Sequence, residues 1–174
     1  INVEYKTGSP EIYLLPISFV FKKEGLHIVR DYPECIICKI MVNGSEGFLL
    51  DGVYTPEFQL AIFKLITKKR KLTNSKGVLQ GFPGRDLKIL FGEEPMKIRS
   101  RVLKTKQNNT AIVYNNIFFL KIFRKLEEGI NPDVEVSSYL SEKNNFSYTP
   151  PFAGCLEYRR IKAEPISMAV LKGY

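Results

Sequence analysis

The sequence predicts an α+β fold in two packed subdomains. An N-terminal antiparallel sheet with one long helix is followed by a five-stranded antiparallel sheet with a helix of its own. Three observations predict it. Short β-branched and aromatic runs recur between turn-forming residues, with Asn43-Gly44 and Asn115-Asn116 as hairpin signals. The apolar period switches to helical spacing once in each half, after Thr55-Pro56 and after Asn131-Pro132. The composition, 44% hydrophobic and 12% aromatic over 174 residues, supplies a core and argues against disorder.

In chain order, strands are expected over residues 3–7 and 11–21, with Gly8-Ser9-Pro10 as the turn between them. Residues 26–30 and 35–42 read as two more, and Asn43-Gly44 leads into a strand over 47–53. A helix opens at Thr55-Pro56-Glu57, with Phe58, Leu60, Ala61, Ile62, Leu65 and Ile66 as its buried side. It runs into Lys68-Lys69-Arg70-Lys71, cations suited to the negative end of the helix dipole. A strand over 78–82 and the turn Pro83-Gly84-Arg85-Asp86 complete a first subdomain, residues 1–90, with a soft boundary at 86–96. The second, residues 91–174, has strands over 97–105, 110–114, 117–123, 152–161 and 166–172. Its helix, over 131–141, falls between the third and fourth. Within 97–105 the pattern K-I-R-S-R-V-L-K-T leaves one face wet.

The net charge of +8 is spread evenly, +4 in each half, which argues against a basic tail for nucleic acid and suits an acidic ligand such as a phosphate. The run Lys68–Lys71 has no aromatic residues interleaved, so helix-end charge is preferred to nucleic-acid binding. No hydrophobic run approaches twenty residues and no signal peptide is present, so no membrane partner and a cytoplasmic location are expected. The first residue is Ile1, consistent with a piece of a longer chain. Cys35 and Cys38 lack the second pair and the histidines that zinc would need, and with Cys155 they read as small buried hydrophobes. His27, the single histidine, is expected to pack within a strand.

The chemistry concentrates at Lys121. It is the only charge in I-F-F-L-K-I-F (residues 117–123) and shares a strand face with Ile117, Phe119 and Phe123. An ammonium on an apolar face needs an anionic partner. Asn131-Pro132 offers a helix N-cap with proline in the first helical position. Asp133 suits the positive helix end, and Glu135, one turn in, is the carboxylate expected to look back at the sheet. Strand lysine and helix glutamate is the pair with which kinase-like enzymes grip the α- and β-phosphates of ATP, and five strands with a helix after the third is the order of their small lobe. A plain buried ion pair, or a lysine that snorkels to the sheet edge, fits the same residues. Tyr158-Arg159-Arg160 is read as a site of surface ion pairs.

L-K-I-F-R-K-L-E-E-G-I-N-P-D-V-E (120–135), P-P-F-A-G-C-L-E-Y-R-R (150–160) and M-A-V-L-K (168–172) resemble bacterial maltokinase, which is often fused to a trehalose synthase. Y-L-L-P (13–16) and V-L-Q-G-F-P-G-R-D (78–86) are similar to that family's N-terminal cap. The resemblance implies a cystatin-like cap on an ATP-binding small lobe. It also implies transfer of the γ-phosphate of ATP to the anomeric hydroxyl of maltose with Mg²⁺, giving maltose 1-phosphate. By it, Lys121 would hold the phosphates and Glu135 would orient Lys121. Gln107, Asn108, Asn109 and Thr110 would form the phosphate-covering hairpin, and Val113 and Leu171 would line the adenine pocket. Asparagine tolerates left-handed angles and, like threonine, donates hydrogen bonds, so that hairpin is chemically reasonable without glycine.

Phosphoryl transfer also needs a catalytic aspartate and metal-binding Asp or Asn side chains. No H-x-D motif occurs in the sequence, so the magnesium ligands and the maltose site are expected on a further lobe, and these 174 residues are not expected to be active alone. The competing reading is a non-catalytic module that docks a trehalose synthase or another glucan enzyme.

Overall fold

Asn43-Gly44 and Asn115-Asn116 both take left-handed backbone angles, with φ of 50° and 77° in the first pair and 51° and 55° in the second. The first is a two-residue hairpin turn, with Val42 opposite Ser45, and the second opens a three-residue loop, with Tyr114 opposite Phe118. The computed structural model describes residues 1–92, 97–103, 109–143 and 148–174. In chain order, β1 (Asn2–Val3), β2 (Glu11–Tyr13) and β3 (Ile17–Phe21) precede helix α1 (Lys22–Asp31). The hairpin β4 (Ile36–Val42) and β5 (Ser45–Asp51) leads to α2 (Pro56–Thr67), and β6 (Lys71–Asn74) and β7 (Gly77–Pro83) to the short α3 (Leu87–Phe91). Then come β8 (Ser100–Leu103), β9 (Thr110–Tyr114), β10 (Phe118–Ile122) and β11 (Lys125–Leu126). The chain closes with α4 (Pro132–Ser138), β12 (Phe152–Arg159) and β13 (Ile166–Gly173).

The architecture is mixed α/β with few helices and three antiparallel sheets, ordered β1-β2-β11, β3-β5-β4 and β6-β7-β12-β13-β10-β9-β8. Two compact units result: Leu15–Ala61, and Ile1–Leu14 with Ile62–Tyr174. The division therefore differs from the boundary expected near 86–96, where residues 93–96 lie outside the described residues. The expected five-stranded sheet has seven strands, because β7 pairs with β12 from Val78↔Arg159 to Pro83↔Gly154 and brings β6 with it. Pairing of that length is invisible to local pattern.

In the smaller unit, α1 packs on the β3-β5-β4 sheet. Gly25 and Ile28 are its buried positions, and Ile28, Cys35, Phe48 and Leu50 form the core. An expected strand over 26–30 is thus a helix, since Gly25 and Ile28 fall at helical spacing. A β-carbon at Gly25 would sit 2.5 Å from Val20 Cγ2, so glycine permits this approach. His27 is exposed on the outer side of α1 rather than packed in a strand, and Cys38 is exposed while Cys35 and Cys155 are buried.

Residues 11–21 are not one strand. The chain breaks at Leu14-Leu15-Pro16, and β2 belongs to the larger unit while β3 belongs to the smaller. In the larger unit the Glu11 side chain ties β2 to β11 and to the segment that follows β1. Its carboxylate accepts from Lys125 Nζ at 2.5 Å, Tyr13 OH at 2.5 Å and Tyr5 OH at 2.8 Å. Those bonds, Lys125 first, hold its pKa down at about 2 against an ordinary 4.5. A depressed carboxylate stabilises the fold above its unfolded pKa and loses that contribution as pH falls through the folded one. Tyrosine emission should therefore report loosening of this corner between pH 4.5 and about 2, and Glu11→Gln should abolish that transition. With no tryptophan in the chain, the tyrosine signal is not masked.

Both faces of the large sheet carry buried side chains. Alternation along β10 buries Phe118, Leu120 and Ile122 on one side, where Phe63 of α2 meets Tyr114 at 4.4 Å and Phe118 at 5.4 Å. The buried positions of α2 are Gln59, Ile62, Phe63 and Ile66, so Phe63 joins the stripe while Ala61 is exposed and Phe58, Leu60 and Leu65 are half-buried. The helix ends at Thr67. Lys69 takes a left-handed turn (φ 50°) and Lys71 begins β6, so the basic run forms a turn and a strand start. The other face carries Phe123, Val134, Phe152, Cys155 and Val170, and this is where α4 lies.

Candidate functional site

The order of the sheet puts β10 between β9 and β13, so Lys121 stands on an interior strand, opposite Ala111 on one side and Val170 on the other. Residues opposite each other in an antiparallel pair share a face. Phe119 faces Val113 and Lys172, so Phe119, Lys121, Val113 and Lys172 all look toward the side that carries α4. That helix starts at a designed-looking cap. Asn131 Oδ1 accepts from the Asp133 amide at 2.9 Å, Pro132 follows in the first turn, and the Asn131 amide donates to Ser167 Oγ on β13 at 3.0 Å. The start of α4 is thereby fixed to the strand neighbouring β10.

Asp133 sits at the centre of the cluster. Its Oδ2 accepts from Lys121 Nζ at 2.9 Å and its Oδ1 from Lys172 Nζ. Burial alone would push the carboxyl pKa up, but hydrogen bonds from Lys172 and Lys121 prevail and hold it below the usual range. The side chains are 27% exposed for Asp133, 29% for Lys121 and 19% for Lys172, so a ligand phosphate could reach both ammonium groups without unfolding anything. Lys121 Nζ also lies 5.8 Å from the Phe123 ring centre.

The lysine's partner is therefore Asp133, not Glu135. Residues two apart on a helix point about 200° apart, so only one of the two can face the sheet, and Glu135 is exposed. Leu171 is directly opposite Leu120 and fully buried on the other face of the sheet, so it does not share a surface with the ammonium groups; Lys172, its neighbour, does. Val113 is on the lysine's face and buried. Thr110 is opposite Ile122, and its hydroxyl accepts from Arg124 Nε at 2.8 Å. Asn109 is half-buried just before β9, and Gln107 and Asn108 lie outside the described residues. Phe119 stacks on Tyr174, ring centres 6.3 Å apart and 7° from parallel.

Asp133 carried a signal, its place after Asn131-Pro132, but local reading assigned it only to the helix dipole. Lys172 carried none, because nothing nearby states which strand β13 adjoins. The expected surface ion pairs of the Tyr158-Arg159-Arg160 stretch are present, Arg159 to Glu157 at 2.9 Å and Arg160 to Glu128. Among the described residues no group of three His, Cys, Asp or Glu side chains is placed to hold a metal ion, and no helix is long and apolar enough to cross a membrane. No model of a known protein family matches the chain.

Proposed function

We propose that this chain provides the phosphate grip of an ATP-dependent maltokinase, which converts maltose and ATP to maltose 1-phosphate and ADP. One observation carries the reading: the Lys121 ammonium, on an interior strand, is held by a carboxylate from the helix that follows it, with Lys172 on the other oxygen of the same carboxylate. Positioning and charge neutralisation are most of what a protein contributes to phosphoryl transfer. Two ammonium groups on adjacent strands suit the α- and β-phosphates of a nucleotide. Asp133 holds both aimed through its two oxygens, and is a positioning residue in place of Glu135. Val113 and Phe119 would offer apolar surface to the base. Magnesium supplies further charge neutralisation when bound; its ligands and the aspartate that takes the maltose hydroxyl proton are assigned to residues outside this chain, as is the sugar site.

Two substitutions in the complete reading frame separate this assignment from the one based on sequence. Asp133→Asn should lower kcat at least tenfold with a smaller change in the KM for ATP, because the lysines lose their aim. Glu135→Gln should leave both within about twofold. Equal losses in the two variants would refute the assignment of Asp133. Asp133→Asn should also flatten the acid limb of a thermal-stability profile. The depressed carboxylate contributes above its ordinary pKa of 3.8 and loses that contribution as pH falls through its lower folded value.

A further inference from the structure

A second cluster of cations lies outside the Lys121 site. The wet face expected along K-I-R-S-R is real: Lys97, Arg99 and Arg101 are all exposed, at alternate positions leading into and along β8. Arg101 is opposite Val113, so this row is on the same face of the sheet as Lys121, two strands or about 10 Å away across it. The three cations line a groove of about 490 Å³ with Val113, Asn115 and Asn116. Its geometry is held by the β9–β10 turn. Asn115 Oδ1 accepts from the Arg99 amide at 2.7 Å, and Asn115 Nδ2 donates to the Lys97 carbonyl at 3.0 Å. Arg101 donates to Asn116 Oδ1 at 3.3 Å. Among the described residues no carboxylate lines the groove and none of the three cations is in an ion pair.

The chemistry of the occupant follows from spacing and size. Four residues of strand span about 13 Å, too far for one small anion to meet all three cations. A groove of this volume takes a small molecule rather than a macromolecule. Arginine forks favour phosphate and carboxylate oxygens over other acceptors. We propose that the groove between β8 and the β9–β10 turn is a second anion site, which binds a small oligophosphate, free or as part of a nucleotide, through Lys97, Arg99 and Arg101. The groove shares Val113 with the surface offered to the base beside Lys121, but its three cations take no part in that phosphate grip, so the proposal stands if that reading fails.

Calorimetric titration of the 174-residue chain with inorganic tripolyphosphate, and separately with ATP, tests it at low ionic strength. The double variant Arg99→Ala/Arg101→Ala, in exposed positions, should fold as the wild type does and lose at least tenfold in tripolyphosphate affinity. Lys121→Ala should retain a tripolyphosphate site of wild-type affinity. Amide resonances of Asn115 and Asn116 should shift on titration and be silent in the double variant. Tighter binding of ATP than of tripolyphosphate at this site would assign a nucleotide, and equal binding the bare oligophosphate. Unchanged affinity in the double variant, or no binding to the wild type at millimolar tripolyphosphate, would overturn the proposal and leave the charges as guards of an exposed sheet edge. Loss confined to Lys121→Ala would overturn it while leaving the first site intact.

Discussion

Lys121→Ala, made in the complete reading frame that encodes this chain, should lower kcat/KM for ATP-dependent phosphorylation of maltose by at least about 100-fold. The ammonium is fixed by Asp133 at 2.9 Å before any ligand arrives. Its interaction with a phosphate therefore requires little reorganisation when charge develops. Lys121→Arg should recover little, since a planar fork on a strand between β9 and β13 cannot take the place of a point charge. The thermal midpoint should move little, because the side chain is 29% exposed and Asp133 keeps Lys172. Turnover within threefold of wild type by an equally stable Lys121→Ala protein would remove the phosphate grip from the account. Loss of the fold instead would mean that Lys121 is structural, which the urea midpoint reports directly.

The largest expected effect on stability is at Gly81. The last turn of α2 lies on β7 so closely that a β-carbon there would be 2.0 Å from the Leu65 carbonyl oxygen and 2.6 Å from Ile66 Cα. Both obstacles are backbone, and the Gly81 amide donates to the Arg70 carbonyl at 3.0 Å, so neither strand nor helix can shift alone. Gly81→Val should cost more than about 3 kcal/mol, at or beyond the upper end of core overpacking, and even Gly81→Ala should lower the urea midpoint clearly. Gly44→Ala provides the contrast. Nothing lies within 4 Å of its β-carbon position, and only the left-handed φ of 77° opposes the change, at a cost of about 1 kcal/mol. If the two glycines proved equally tolerant, the docking of α2 on β7 would be wrong.

Legibility in the sequence followed the range of the interactions involved. The strand over 110–114 was readable because Thr110–Tyr114 are β-branched or aromatic apart from Ala111, and a hairpin turn follows at once. The cap at Asn131-Pro132 was readable for a similar reason: one side chain satisfies one nearby amide. By contrast, K-L-T-N (71–74) gave no strand signal, since all four residues of β6 are exposed and its only support is β7. The L-H-I-V stretch misled because β-branched residues fit strand and helix alike. Gly25 and Ile28 decided for a helix only through what they pack against.

Taken alone, the sequence determined the hairpins at Asn43-Gly44 and Asn115-Asn116, the helices α2 and α4, and the presence of one lysine that must be neutralised on a strand. Each depends on residues within a turn or two of one another, where steric and hydrogen-bonding preferences act without the rest of the chain. The tertiary structure decided which carboxylate meets that lysine, which side of the sheet Leu171 and Lys172 occupy, and that residues 71–83 extend the sheet of the second half. Those outcomes follow from strand register, where a shift of one residue exchanges the two faces, and from the rotation of a helix on a sheet, where two residues reverse a side chain's direction. Neither quantity is written in any short stretch of sequence.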